Sequence, residues 1–175
     1  MHHINLNFAK VKVPMQIYFS KDRFKFSAAH MTTFADGSKE RLHGHNYYVR
    51  VNLELKENNS MVPFSAVKEP LGRLCDAWDE KVLLAKRSPF LQLLPPDETS
   101  INFSLCGKKY LFPKDEVELL EIDNVISENL VRLMLGHYTS SLPKKIMNEI
   151  KCIKLEIEES PGQGASALWP TGNSL

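Results

Sequence analysis

A chain of 175 residues that is 43% hydrophobic and 25% charged has a globular composition and the length to bury roughly 70% of the surface its unfolded form exposes, so one folded unit is expected. Twenty-two Lys and Arg against 21 Asp and Glu give a formal charge of +1, and no basic block is present, which disfavours nucleic acid and anionic membranes as partners. The longest apolar runs are as short as Val82 to Ala85 and the start reads MHHINLNFAK, so neither a membrane span nor a secretory leader is expected, and a cytoplasmic location follows by default.

Residues 1–15 lack periodicity and contain Pro14, which suits an arm outside a single domain spanning 16–175; His2 and His3 belong to that tail. From Ile17 to Ala29 the alternation of Phe24, Phe26 and Ala28 against Lys25 and Ser27 predicts a half-buried strand, with His30 at its end in phase with the apolar face. Met31 to Leu42 reads as a loop around the turn signal Asp36-Gly37. The next strand is the clearest in the chain: Tyr47, Val49, Val51, Leu53 and Leu55 alternate with polar residues, and His43 and His45 share their parity. The polar stretch Glu57 to Ser60 closes it.

Phe64, Val67, Leu71, Leu74, Cys75 and Trp78 recur at helical spacing. Pro70 should either fall in the first turn of a later-starting helix or kink it. Between Ser88 and Glu121, INFSLC and KKYLF flank Gly107-Lys108, a hairpin pattern. A second amphipathic helix carries Ile126, Leu130, Leu133, Met134 and His137, with Asp123 and Asn124 as cap candidates and His137 expected to pack inside. In the last strand Ile153, Leu155 and Ile157 alternate with charged residues, and one further step puts Glu159 on the apolar face; the ESPGQGASA stretch that follows reads as a strand breaker. Cys75, Cys106 and Cys152 are odd in number and widely spaced, forming neither a disulfide framework nor a zinc knuckle, and are expected to be small buried residues. The order of elements is that of an α+β domain.

His43-Gly44-His45 puts two imidazoles on one strand face about 7 Å apart along the chain. If the strand ending at His30 pairs antiparallel with it, all three rings point into one hollow. Three imidazoles with an open fourth position make a catalytic rather than a structural zinc site.

FSAAH, then LHGHNY, an amphipathic helix, a Trp-Asp-x-Lys-x-Leu-Leu segment and a late strand ending in Glu-Ser-Pro resemble the 6-pyruvoyl-tetrahydropterin synthase and 6-carboxytetrahydropterin synthase family, from about Tyr18 to Ala167. The resemblance implies the tunnelling fold: a four-stranded antiparallel sheet with two helices on one face, closing into a β-barrel in a homohexamer made of two trimers, with the active site between subunits. It implies Zn²⁺ on His30, His43 and His45. The implied substrate is 7,8-dihydroneopterin triphosphate, its pterin ring gripped by Glu159, whose carboxylate can accept two adjacent N–H donors in a fork.

The chain departs from that family in informative places. No Cys precedes HGH; instead Glu40 stands three residues before His43, resembling the glutamate-type members that release 6-hydroxymethyl-7,8-dihydropterin. A carboxylate there can take a proton from a metal-polarised hydroxyl. Where the family carries an Asp-His dyad this chain has Asp79-Glu80, and Glu80 would need a raised pKa to serve as base. Val125-Ile126 replace the Thr residues that open the second helix, leaving Ser127 as the hydroxyl facing the pterin, and Pro63 replaces an Asp. The expected activity is a zinc-dependent retro-aldol lyase; a pyruvoyl- or carboxy-type synthase and a non-catalytic zinc-bearing pterin- or purine-binding protein are the alternatives.

Overall fold

In the computed structural model, which describes residues 15–20, 23–56, 61–95 and 97–170, the alternating segment that begins at His43 is the axis of the molecule. It forms a 13-residue strand, β3 (His43–Leu55), whose even-spaced Tyr47, Val49, Val51 and Leu53 are all at most 2% exposed. The aromatic run before it is two strands, β1 (Gln16–Phe19) and β2 (Lys25–His30). Both pair antiparallel with β3, β1 along its C-terminal half and β2 along its N-terminal half. The single strand expected over Ile17 to Ala29 is therefore broken, and Val49 N–H bonds to Phe24 O at the jog between the two registers. The arm expected at residues 1–15 lies outside the described residues, Met15 apart.

The helix α1 (Phe64–Trp78) starts at Phe64, so Pro70 sits within it rather than in its first turn. A proline there removes one backbone donor, but the ring is buried along with Val67, Leu71, Cys75 and Trp78, and that burial offsets the loss. After α1 come β4 (Lys81–Ala85), β5 (Leu91–Leu93), β6 (Ser100–Leu105), β7 (Lys108–Pro113) and β8 (Val117–Leu120). Helix α2 (Ser127–Ser141) and the short α3 (Lys144–Glu149) follow, then β9 (Ile150–Ser160) and β10 (Gln163–Trp169). No helix among the described residues is long and apolar enough to cross a membrane.

The main sheet has seven strands in the order β10-β9-β3-β2-β4-β8, with β1 also on β3. The expectation of four antiparallel strands fails in two places. At one edge β4 runs parallel to β2, and β8 parallel to β4. Val82 to Ala85 are all buried because both faces of β4 are covered: Leu83 and Ala85 join the main core under the helices, while Val82 and Leu84 join a second core with Met31, Phe103, Leu105 and Val117. A strand buried on both faces has no alternation to read. At the other edge β10 pairs antiparallel with β9, so the stretch read as a breaker is a hairpin turn followed by another strand.

The second core is closed by a separate sheet, β5-β6-β7, whose β6–β7 hairpin is the one expected around Gly107. Its turn residues Cys106 and Gly107 both have positive φ, 48° and 74°, the combination a tight two-residue hairpin needs. Phe103 stacks on Tyr110 at 5.2 Å between ring centroids. Of the three cysteines only Cys75 is buried; Cys106 and Cys152 are half-buried, and burial pushes the Cys75 thiol up to about 12.

Helix α2 begins at Ser127, with Ile126 at its N-cap and no side-chain cap. The cap expected from Asp123 or Asn124 does not form, because Asn124 is engaged with Thr33 instead. The buried face of α2 is Ser127, Leu130, Val131, Met134, Leu135 and Tyr138, one step round from the stripe read in the sequence. His137 is consequently exposed, not interior, and Tyr138 takes the inward place, donating its hydroxyl to Val67 O at 2.9 Å.

Two glycines are required by close approach of the backbone. A Cβ on Gly44 would lie 3.0 Å from Ala28 O, and one on Gly164 only 2.2 Å from Ile157 O. Gly164 sits at the β-bulge where β10 shifts register against β9 and pairs with Glu158. Gly164→Ala should therefore force the hairpin open, lowering stability by about 1–3 kcal/mol and Tm by about 2–12 °C in a calorimetric scan. An unchanged Tm would mean the bulge relaxes freely.

Candidate metal centre

Strand pairing delivers the three histidines to one place. His30 and His43 are direct cross-strand partners, and His45 pairs with Ala28 one step further along the same face. Ring centroids are 4.5 Å apart for His30 and His43, 4.9 Å for His43 and His45, and 5.4 Å for His30 and His45. The ligand atoms of His30, His43, His45 and Glu159 all lie within 4.8 Å of one another. Glu159 reaches the group from the end of β9, by the phase that Ile153, Leu155 and Ile157 set.

Proton positions follow from the partners. His30 Nδ1 lies 3.0 Å from Val125 O and His43 Nδ1 2.8 Å from Arg41 O. A carbonyl only accepts, so each Nδ1 carries a hydrogen, which leaves Nε2 as the ligand atom of each ring. This outer bonding is the pattern that orients histidine ligands. His30 is 2% exposed, and burial holds it below the usual imidazole range, against the opposing pull of the Val125 carbonyl. It is neutral at neutral pH.

Nε2 of His30 is buried without a hydrogen-bond partner, and Nε2 of His45, although close to Glu159 Oε1, is not aligned to bond to it; a buried group left unpaired costs roughly 1–3 kcal/mol. Four tetrahedral N and O donors around a divalent ion sit about 3.3 Å apart for bonds near 2 Å, so a small inward movement of these groups suffices to bind one. The residues fit a divalent metal. Glu159 Oε1 is 3.0 Å from His45 Nε2 and 3.9 Å from His30 Nε2, while its Oε2 accepts from Ser127 Oγ at 2.7 Å. The fourth position is therefore flanked by a carboxylate rather than bare.

A cavity of about 260 Å³ opens beside the cluster, lined by His30, Thr32, Glu40, Ser127, Glu128, Glu159 and Gln163 among others. Glu40 stands at its rim, Oε2 3.8 Å from His43 Nε2. Two larger grooves of about 390 Å³ each lie elsewhere: one, on the opposite sheet face around Tyr48, Arg50, Glu156 and Glu158, holds none of the histidines, and one, around Ser27, Gly44, Asn46 and Glu80, touches His45 but not His30, Glu40 or Glu159. Beneath the cluster Tyr47 stacks on Phe26 at 4.8 Å. Burial first, then the charges of Glu159 and Glu40, raise its phenol above the ordinary range, so it stays protonated.

Asp79 and Glu80 are not at this cluster within the chain. Both are exposed past the C-terminal end of α1, where Asp79 Oδ1 accepts from Ser27 N–H at 2.7 Å and Glu80 adopts φ 56°. Ser27 and its partner Asn46 project from the face opposite His45. Sequence reading also missed the clamp made by Asn124, whose Oδ1 accepts from Thr33 N–H and whose Nδ2 donates to Thr33 O. That clamp holds the loop between His30 and His43 against the start of α2. The visible signal was Asn124 itself, read as a helix cap.

Fold and cluster together define an α+β protein with a histidine-rich metal-type site at the mouth of an antiparallel strand pair. The model of the family described as 6-pyruvoyl tetrahydropterin synthase matches residues 19–168, and the chain belongs to that family. A Methanocaldococcus jannaschii protein provisionally named 6-carboxy-5,6,7,8-tetrahydropterin synthase is 29% identical over 144 residues, 81% of this chain and 87% of that one. The 6-pyruvoyl tetrahydropterin synthase of Plasmodium vivax superposes with a TM-score of 0.81 at 22% identity, covering 89% of this chain and 98% of its own. That of Plasmodium falciparum gives 0.80 at 23%, covering 89% and 97%. Two further P. vivax structures are variants of a catalytic glutamate, replaced by alanine or cysteine.

Proposed function

We propose that the chain is a zinc-dependent lyase of pterin biosynthesis that cleaves the side chain of 7,8-dihydroneopterin triphosphate towards 6-hydroxymethyl-7,8-dihydropterin. The observation that carries this reading is the convergence of His30, His43, His45 and Glu159 within 4.8 Å, beside a cavity rimmed by Glu40. His30, His43 and His45 would hold the zinc, which would supply Lewis acidity to a side-chain hydroxyl. Glu159, oriented by Ser127, accepts the adjacent N–H donors of the pterin ring and fixes the scissile bond in place. Glu40 takes the proton of the 2′-hydroxyl, whose O–H electron pair becomes the new carbonyl as the C1′–C2′ bond opens; the C1′–C2′ pair passes into the ring system and C1′ is then protonated. The glutamate named as catalytic in the P. vivax enzyme supports a carboxylate in this role.

Asp79 and Glu80 enter the reading only through assembly: exposed in one chain, they would act in a neighbour's site in the homohexamer that the family resemblance implies. A second reading, a carboxy-type synthase, rests on the name of the M. jannaschii relative. Against it, no Cys lines the cavity among the described residues.

Purified protein incubated with 7,8-dihydroneopterin triphosphate should release 6-hydroxymethyl-7,8-dihydropterin by mass spectrometry and carry zinc by elemental analysis. A carboxy or pyruvoyl product would transfer the assignment to the second reading, and stoichiometric zinc without any pterin product would overturn the lyase. His43→Ala should lose metal by more than the roughly 10–100-fold that removal of an outer hydrogen-bond partner costs. A zinc-replete variant would refute this ligand set.

A further inference from the structure

The loop from Met31 to Leu42 carries Glu40, and one side chain gathers that loop onto the small sheet. Lys39 Nζ donates to Glu40 O at 2.9 Å and lies 3.3 Å from Met31 Sδ. It also stands 5.1 Å from the centroid of the Tyr110 ring on β7. An ammonium has three donors, and these contacts give each one a destination: a carbonyl, a thioether and an aromatic face. Met31 follows His30 directly and Glu40 precedes Arg41, whose carbonyl accepts a hydrogen bond from His43 Nδ1. Lys39 therefore ties the chain leaving one histidine to the chain approaching another.

The neighbouring contacts point the same way. Glu40 N–H bonds to Thr32 O at 2.9 Å, and Thr33 and Lys39 form a β-bridge. Cys106 Sγ in the β6–β7 turn lies 3.8 Å from Ser38 O. Tyr110 is itself fixed by stacking on Phe103, which is 0% exposed. The small sheet thus presents a rigid aromatic platform to a loop that has few apolar side chains of its own to bury, and Lys39 is the connection.

We propose that Lys39, seated on Tyr110, is a positioning residue that sets where the Glu40 carboxylate stands relative to His43, and that β5-β6-β7 serves the site as a buttress. The proposal rests on the reading of Glu40 as the base. Lysine is required as a donor to the carbonyl and as a cation on the ring; arginine supplies both, whereas methionine keeps the stem and supplies neither.

The test uses Lys39→Met, Lys39→Arg, Tyr110→Leu and the double variant Lys39→Met/Glu40→Gln. Hydrogen exchange at the Glu40 amide should accelerate about tenfold or more in Lys39→Met and Tyr110→Leu and stay near the parent rate in Lys39→Arg. Turnover should fall at least tenfold in Lys39→Met with KM and bound metal unchanged, and return to within about threefold in Lys39→Arg. The double variant should be no slower than Glu40→Gln alone, because a residue acting through Glu40 has nothing left to position. Unchanged exchange at Glu40 in Lys39→Met would overturn the proposal whether or not the protein turns over pterin, as would independent, multiplying losses in the double variant. Accelerated exchange in a protein without pterin turnover would keep the buttress and remove the lyase reading.

Discussion

Glu40→Gln should lower turnover by about 10²–10⁴-fold, the usual contribution of a positioned proton acceptor, and leave bound metal unchanged. Glutamine matches glutamate in size, and the contacts that shape this part of the loop are made by the Glu40 main chain: its N–H to Thr32 O and its O from Lys39 Nζ. Only the ability of the side chain to accept and hold a proton is removed. Glu40 lies outside the group of ligand atoms that converge within 4.8 Å, so metal affinity does not depend on it. Rapid-quench measurement of pterin product and elemental analysis on one sample check both halves. Retained turnover would take Glu40 out of the mechanism; lost metal would make it part of the ligand set.

How far the site could be read from the sequence depended on whether a side chain's direction is fixed by strand alternation. His30, His43 and His45 lie on strands with one buried face, where a one-residue error would invert every apolar position, so the orientation of His43 and His45 was legible from Tyr47 to Leu55 and that of His30 from Phe24, Phe26 and Ala28. Glu159 was legible for the same reason, as the next inward step after Ile157. The pairing that makes His30 and His43 direct partners required in addition that β2 and β3 be antiparallel neighbours in that register, which the sequence left as a condition.

Alternation fails where burial is two-sided or where glycine is structural. Val82 to Ala85 of β4 are apolar without a period because one core lies above them and another below, and nothing in the sequence announces a second core until the β6–β7 hairpin is seen to pack there. The β10 strand was hidden by Gly162 and Gly164, which mark a turn and a bulge rather than an end. Yet Ala165, Ala167 and Trp169, all packed against the main core, do alternate. On α2 the stripe read through Ile126, Leu130, Leu133, Met134 and His137 was right at Leu130 and Met134, but the buried row turns on to Tyr138 and leaves His137 outside. A polar Ser127 heads that row because it meets Glu159 rather than apolar neighbours. Asp79 and Glu80 show a different limit: they were named only through the family resemblance, and within this chain Asp79 is taken up by the Ser27 N–H, away from the cluster.

Glu159→Gln separates two roles that the geometry brings onto one carboxylate. In the proposed role of pterin anchor, Glu159 would accept two adjacent N–H donors; an amide keeps one acceptor and turns a donor towards the other. Loss of one charge-assisted bond together with a donor–donor clash should weaken binding of an unreactive pterin by about 10²–10³-fold, read by titration calorimetry. The three histidines make a complete three-ligand set without it, so zinc should remain bound to within roughly tenfold. Ser127→Ala, which removes only the bond that orients Oε2, should weaken pterin binding by a smaller factor of about 3–10. The opposite pattern, zinc lost with pterin affinity intact, would mean that the 3.0 Å approach of Oε1 to His45 Nε2 reflects metal coordination. The pterin ring would then have to be held by other groups lining the cavity, of which Glu128 carries the nearest remaining carboxylate in sequence to Ser127.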